Sequence, residues 1–182
     1  MIVLETERLN LRWFDIKDAP FILELVNDPA WIQFIGDKGV RNLEDAKSYI
    51  VNGPIDMYNK LGFGLYLVER KEDLTPLGMC GLIKRDSLED VDIGFAFLET
   101  FRSQGYGYES ASAIIEYGVQ KLSMKRIVAI TSIDNIASGK LLEKAGLQFE
   151  RVISRSENAT IFYKVFPAQN SEEVSSAESV FA

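Results

Sequence analysis

Residues 91–133 constrain this chain more than any other stretch. They read as a strand over 91–98, a turn carrying Gly105 and Gly107, a helix from Tyr108 to Leu122, and a strand over 126–133. The helix is recognised by one apolar face, Ala111, Ile114, Ile115, Val119 and Leu122. The last strand is a β-branched run of the kind that a sheet buries on both faces. Strand, helix, strand is a crossover, and it sets the two strands parallel. Upstream the texture differs, because 63–69, 77–85 and 91–98 follow one another at hairpin spacing. The expected class is therefore α+β, a mostly antiparallel sheet with one parallel pair.

The flanking segments fit that plan. Residues 3–13 read as one strand with Leu9, Leu11 and Trp13 on one side. Asp18 is expected to cap a helix that tolerates Pro20 in its first turn and carries Ile22, Leu25 and Val26 as its stripe. A second helix is expected after Asn42, with Leu43, Ala46 and Ile50 on one face. Residues 136–145 read as a short helix ended by Gly146, followed by strands over 147–155 and 160–166. A length of 182 residues suits one domain, expected over 1–166. Residues 167–182 form a polar, acidic tail. Its Val174, Ala177 and Phe181 recur at helical spacing, so it is either disordered or a short helix docked on its own domain or on a second copy, which admits a homodimer.

Two absences exclude most catalytic classes. The chain has no histidine, which removes Ser-His-Asp and Cys-His catalysis and any histidine general base. One cysteine, Cys80, excludes an intrachain disulfide and a multi-cysteine zinc site, and no metal is expected. Cys80 lies in an apolar stretch and reads as a small core residue. A net charge of −7 argues against nucleic-acid and anionic-membrane partners. The first residues lack the pattern of a signal peptide and no apolar run approaches a membrane span, so the expected location is the cytoplasm.

The segment from Phe97 to Glu109 carries the chemistry. Gly105 and Gly107 let backbone N–H groups converge, and the helix start adds unpaired N–H groups with a positive dipole end. That combination suits a pyrophosphate, whose charge Arg102 would partly neutralise. No Gly-Lys-Ser/Thr follows, which excludes a Walker A loop, and Ser110 stands where a dinucleotide fingerprint needs its third glycine. Arg102-x-x-Gly105-x-Gly107 matches the third candidate, R/Q-x-x-G-x-G/A, in full. The plainer reading of the same glycines is a tight strand-to-helix turn.

That motif belongs to the coenzyme A loop of the GNAT N-acetyltransferases, and the chain resembles that superfamily from about Leu4 to Phe166. It is most similar to the branch that acetylates ribosomal-protein N-termini. Glu5-Thr6-Glu7-Arg8-Leu9-x-Leu11-Arg12, Asp92-Ile93-Gly94-Phe95 and Asn135-x-x-Ser138-x-x-Leu141-Leu142-Glu143-Lys144-x-Gly146-Leu147 recur in the order that branch shows. The resemblance implies the GNAT fold, with helices on both faces and strands 91–98 and 126–133, the fourth and fifth, splayed apart around acetyl-CoA, the co-substrate. It implies coenzyme contacts from Phe97, Leu98, Arg102, Ser103, Gln104, Gly105, Tyr106, Gly107, Asn135 and Ser138, with an oxyanion donor among the backbone N–H groups near Phe97 or Leu98. It implies direct attack of a primary amine on the thioester, without a covalent acyl-enzyme.

With no histidine, a carboxylate or a water chain must accept the amine's proton. Asp92 is the first candidate, sharing a strand face with Gly94 and Ala96; Glu109 is the second, although the first turn of a helix also suits a carboxylate electrostatically. Leu142 stands where many relatives place a tyrosine acid, so Ser138, which matches the branch's serine, is the candidate donor to the leaving thiolate. Asn135 matches the residue that bonds the pantetheine arm and also suits a helix cap; Lys140 and Lys144 could reach phosphates. The family walls the acceptor site with residues 28–62, where Trp31, Phe34, Met57 and Tyr58 stand among Asp28, Asp37, Glu44 and Asp56. Aromatic and acidic residues suit a cationic amine. Branch resemblance favours a protein N-terminus, with a polyamine and an aminoglycoside as alternatives. A catalytically silent acyl-CoA sensor is the rival from another class.

Overall fold

The computed structural model describes residues 1–153 and the strand 159–165. Residues 154–158, Phe166 and the acidic tail 167–182, for which a docked helix was one of two expectations, lie outside the described residues. Eight strands form one sheet among the described residues: β1 Ile2–Glu5, β2 Leu9–Arg12, β3 Leu65–Arg70, β4 Pro76–Lys84, β5 Val91–Phe97, β6 Arg126–Ser132, β7 Gln148–Ile153 and β8 Ala159–Val165. Their order is β1-β2-β3-β4-β5-β6-β8-β7. Every neighbouring pair is antiparallel except β5 and β6, as the crossover required.

The helices are α1 Ala19–Val26, α2 Pro29–Phe34, α3 Leu43–Ile50, α4 Asp56–Leu61, α5 Tyr106–Gln120 and α6 Ile136–Lys144. They cover both faces. One core gathers Leu9, Leu11, Val68, Leu82, Ile93 and Phe97 under α5 and α6, through Ala111, Ile114, Ile115 and Leu142. The second gathers Leu67 and Met79 under α1 to α3, through Ile22, Leu25, Trp31, Ala46 and Ile50. Cys80 is fully buried in the first core, and burial pushes its thiol up to about 12. No described helix is long and apolar enough to cross a membrane.

Three local expectations need correction. Residues 3–13 are a hairpin, not one strand: Thr6 Oγ1 accepts from the Leu9 N–H at 3.1 Å and turns the chain between β1 and β2. The splayed strands are therefore the fifth and sixth. Asp18 makes no cap bond to α1; Asp15 caps the short 3₁₀ turn Ile16–Asp18 instead. Leu43 is 46% exposed, while Ala46 and Ile50 are buried as read. The helix α2 was not foreseen, although Asp28 as cap and Pro29 in the first turn are its signature.

Asp18 has other work. Arg12 donates both terminal nitrogens to it at 2.9 Å and its Nε to Glu69 at 2.8 Å. Asn10 donates to the same Glu69 carboxylate at 3.3 Å. This charged cluster ties β2 and β3 to the turn that launches α1.

Candidate functional site

The parallel pair separates early. β5 and β6 are in register only at Val91↔Ile127 and Asp92↔Val128. Beyond that, β5 continues to Phe97 and β6 to Ser132 without pairing each other. A V-shaped cleft results, closed at Asp92 and open at Phe97. The Leu98 N–H is spent on Leu77 O at 3.0 Å, toward β4. Strand alternation then turns the amides of Ile93, Phe95 and Phe97 toward the cleft. This corrects the expected oxyanion donor: Leu98 is excluded, and the candidates run from Phe97 down to Ile93.

At the cleft mouth the chain makes the glycine loop. Ser103 and Gly105 both take left-handed backbone, φ 59° and 84°. Arg102 N–H reaches Glu99 O and Glu109 N–H reaches Gly105 O. Between them, the six backbone N–H groups from Ser103 to Tyr108 meet no acceptor among the described residues. α3 and α6 are capped by Asn42 and Asn135 side chains, but α5, the longest described helix, has no side-chain cap. A run of open amides at a helix start is an anion site. Gly107 is small for packing: a Cβ there would stand 2.8 Å from Leu141 Cδ1 of α6.

Several predicted side chains face elsewhere. Arg102 donates to Phe97 O at 2.9 Å and to Asp28 at 2.5 Å, so it does not offer its charge to the open amides. Gln104 closes the loop by donating to Thr100 O at 2.7 Å. Tyr106 is buried, with the Arg8 guanidinium 4.4 Å above its ring. Lys144 lies 4.3 Å over the ring of Tyr108, beside the first turn of α5. Glu109 accepts from Thr6 Oγ1 at 2.6 Å, Arg8 N at 2.9 Å and Arg8 Nε at 2.7 Å. Burial pushes its carboxyl up, but the bonds from Thr6 and Arg8 prevail and hold it below its ordinary value. Glu109 is therefore a strut between α5 and the β1–β2 turn, and a poor base.

Asp92 has the opposite character. Its carboxylate is 2% exposed and pairs with Arg85 Nε at 3.0 Å. Burial outweighs the attraction of Arg85 and raises its pKa. It sits at the last paired position of the cleft. Across the mouth, Asn135 Oδ1 accepts from Ser138 N at 3.2 Å, capping α6, and Ser138 is half-buried in its first turn.

The expected acceptor wall changes most. Tyr58 is core: it stacks between Trp13 and Tyr66 at 4.6 and 5.6 Å, and its hydroxyl donates to Leu65 O. Trp31 is 5% exposed inside the second core, and Phe34 ends α2 half-buried. A pocket of about 310 Å³ opens instead among Tyr49, Asn52, Gly53, Pro54, Met57 and Leu65. It is built by α3, a single π turn over Val51–Ile55, α4 and the start of β3. Of these six only Met57 was singled out from sequence. The helix-breaking Gly53-Pro54 pair was the available signal, since π turns gather at functional sites. Among the described residues no group of carboxylates and cysteine is placed to hold a metal ion.

Comparison with known proteins agrees with this geometry. Residues 8–148 match the family described as the acetyltransferase (GNAT) domain. The N-acetyltransferase YnaD of Bacillus subtilis (strain 168) is 30% identical over 147 residues, 81% of this chain and 83% of its own length. The solved structure of RimL, an alpha-N-protein acetyltransferase of a ribosomal protein in complex with coenzyme A, is similar with a TM-score of 0.80 at 19% identity, covering 93% of this chain and 100% of that one. The microcin self-immunity acetyltransferase MccE, in complex with acetyl-CoA and AMP, is similar with a TM-score of 0.75 at 20% identity, covering 88% and 94%.

Proposed function

We propose that this chain, which belongs to the GNAT acetyltransferase family, moves an acetyl group from acetyl-CoA to a primary amine by direct attack. The observation that carries the reading is the run of open amides from Ser103 to Tyr108 at the mouth of an unpaired β5–β6 cleft. The pyrophosphate would sit on those amides, with Lys144 adding positive charge nearby. The acyl arm would run down the cleft along the amides of Phe97, Phe95 and Ile93. From Phe97 to Ile93 the strand covers roughly 13 Å at ~3.3 Å per residue. That brings the thioester to the closed end, beside Asp92.

The roles follow from position. An inward amide of β5 stabilises negative charge on the thioester oxygen. Asp92, with its pKa raised by burial, takes the ammonium proton directly or through one water. The amine nitrogen forms the new C–N bond, the C–S bond breaks, and the second proton of the attacking nitrogen passes to the departing thiolate by way of the Ser138 hydroxyl, the proposed relay, which ends as it began. Holding both substrates in attack geometry supplies ~7–11 kcal/mol of the barrier. RimL acts on a protein N-terminus, and that resemblance favours an α-amino group here.

Calorimetric titration tests the premise. Acetyl-CoA and free CoA should saturate one site while NADH gives no heat, and thiol release should then follow with some amine. Tight binding without any turnover would favour the acyl-CoA sensor. Arg102 gives a second expectation. Its bond to the α2 cap makes it a strap between loop and helix, and asparagine at 28 keeps the cap while losing the charge pair. Arg102→Met and Asp28→Asn should each weaken acetyl-CoA about tenfold, and the double variant no more than either, as for coupled neighbours. If Arg102 held phosphate instead, Asp28→Asn alone would leave affinity intact.

A further inference from the structure

We infer that the acceptor presents its amine on an uncharged, compact body that enters the Tyr49–Leu65 pocket, and that polyamines and aminoglycosides are poor substrates. The inference rests on the transferase reading above and narrows its substrate class. Position comes first. Leu65 lines the pocket, and its Cδ2 lies 3.6 Å from where a Gly94 Cβ would stand. Gly94 follows Asp92 by two residues, on the stretch of β5 that has left β6. The pocket thus borders the closed end of the cleft, on the Asp92 face of β5.

Charge comes second. The acidic residues of 28–62 suggested a cation site from sequence, yet none of them lines the pocket, and each already faces a cation or an amide. Asp28 holds Arg102, Asp37 holds Arg41, Glu44 holds Lys47 and Asp56 holds Lys60. Asp45 accepts from the Arg41 N–H at 2.9 Å. On the sheet side, Asp92 is matched by Arg85. None of the six lining residues carries a charge, and burial keeps the Tyr49 hydroxyl protonated by pushing it up to about 12. A second or third ammonium would lose water there and gain no carboxylate. Size comes third: about 310 Å³ is the low end of small-molecule sites, which run ~300–1,000 Å³, so one side chain fills it.

The test is a thiol-release panel of peptide amides beginning with Ala, Ser, Met or Lys, with spermidine and kanamycin beside them. Neutral first residues should exceed spermidine, kanamycin and the Lys peptide at least about tenfold in kcat/KM. Two variants locate the effect. Gly53 lines the pocket, meets nothing beyond its own turn within 4 Å of its Cβ position and lacks a positive φ, so Gly53→Leu should be accommodated without strain and narrow the pocket. It should raise acceptor KM at least about tenfold and leave acetyl-CoA affinity within about twofold. Asn52→Asp, at an exposed position, should improve spermidine relative to the Ala peptide. A best substrate that is polycationic, or an acceptor KM that neither variant moves, overturns the inference while the transferase reading stands. Absence of acetyl-CoA binding in folded protein overturns both.

Discussion

Asp92→Asn is expected to lower kcat by about 10²- to 10⁴-fold, the usual worth of a positioned general base. Acceptor KM should change little, because the amide keeps the shape of the carboxylate. Only an ionised carboxylate can take the proton, so wild-type activity should fall as pH drops through the Asp92 pKa. Burial raises that pKa, which places the acid limb above the ordinary carboxylate range near ~4. The limb should vanish in Asp92→Asn. Stability should not suffer. A raised folded-state pKa means that Asp92 supports the fold when protonated and that the support is lost as pH rises through the folded value. At neutral pH an asparagine removes that burden, and Arg85, half-exposed, stays hydrated. A folded Asp92→Asn with kcat within about twofold and an unchanged pH limb would assign the proton to a water chain.

How much of this was legible depends on the range of the interactions. The crossover was readable because helix and strand periods are local, and because an inward turn between them needs glycine. Gly105 and Gly146 both carry the positive φ that their positions implied. Asn42 and Asn135 cap the helices that follow them, three residues from their partners. What escaped is long-range. Arg102 meets Asp28 across 74 residues, and Arg8 meets Glu109 across 101. No spacing rule links such pairs, so a loop arginine read as a phosphate ligand and a helix-start carboxylate read as a base. Tyr58 misled for a related reason. An aromatic beside acidic residues has the same sequence signature whether it lines a site or fills a core, and only its stacking with Trp13 and Tyr66 decides. The hairpin at Thr6 carries no glycine or proline, so two strands read as one.

The same distance effect puts the largest expected loss of stability far from the cleft. Arg12→Met should destabilise the fold by about 3–5 kcal/mol, the usual cost of removing one partner from a buried charge cluster. Glu69 is 9% exposed and Asp18 11% exposed at their side chains, so neither carboxylate recovers much water when the guanidinium goes. Methionine fills similar space, which separates the lost charge from a cavity. For a chain of this length ~1 kcal/mol moves Tm by about 2–4 °C, so a fall of roughly 6–20 °C is expected. Arg12→Met with Glu69→Leu should recover part of it, because one orphaned charge is then removed along with its partner. A double variant that merely sums the two single losses would mean that the residues contribute independently, as packing does. The cluster joins β2 and β3 to the turn that launches α1, and α1 packs beside α3, which carries Tyr49 of the proposed acceptor pocket. The surviving folded fraction of Arg12→Met should therefore lose acceptor affinity before it loses acetyl-CoA, whose proposed amides lie on α5 over the other face.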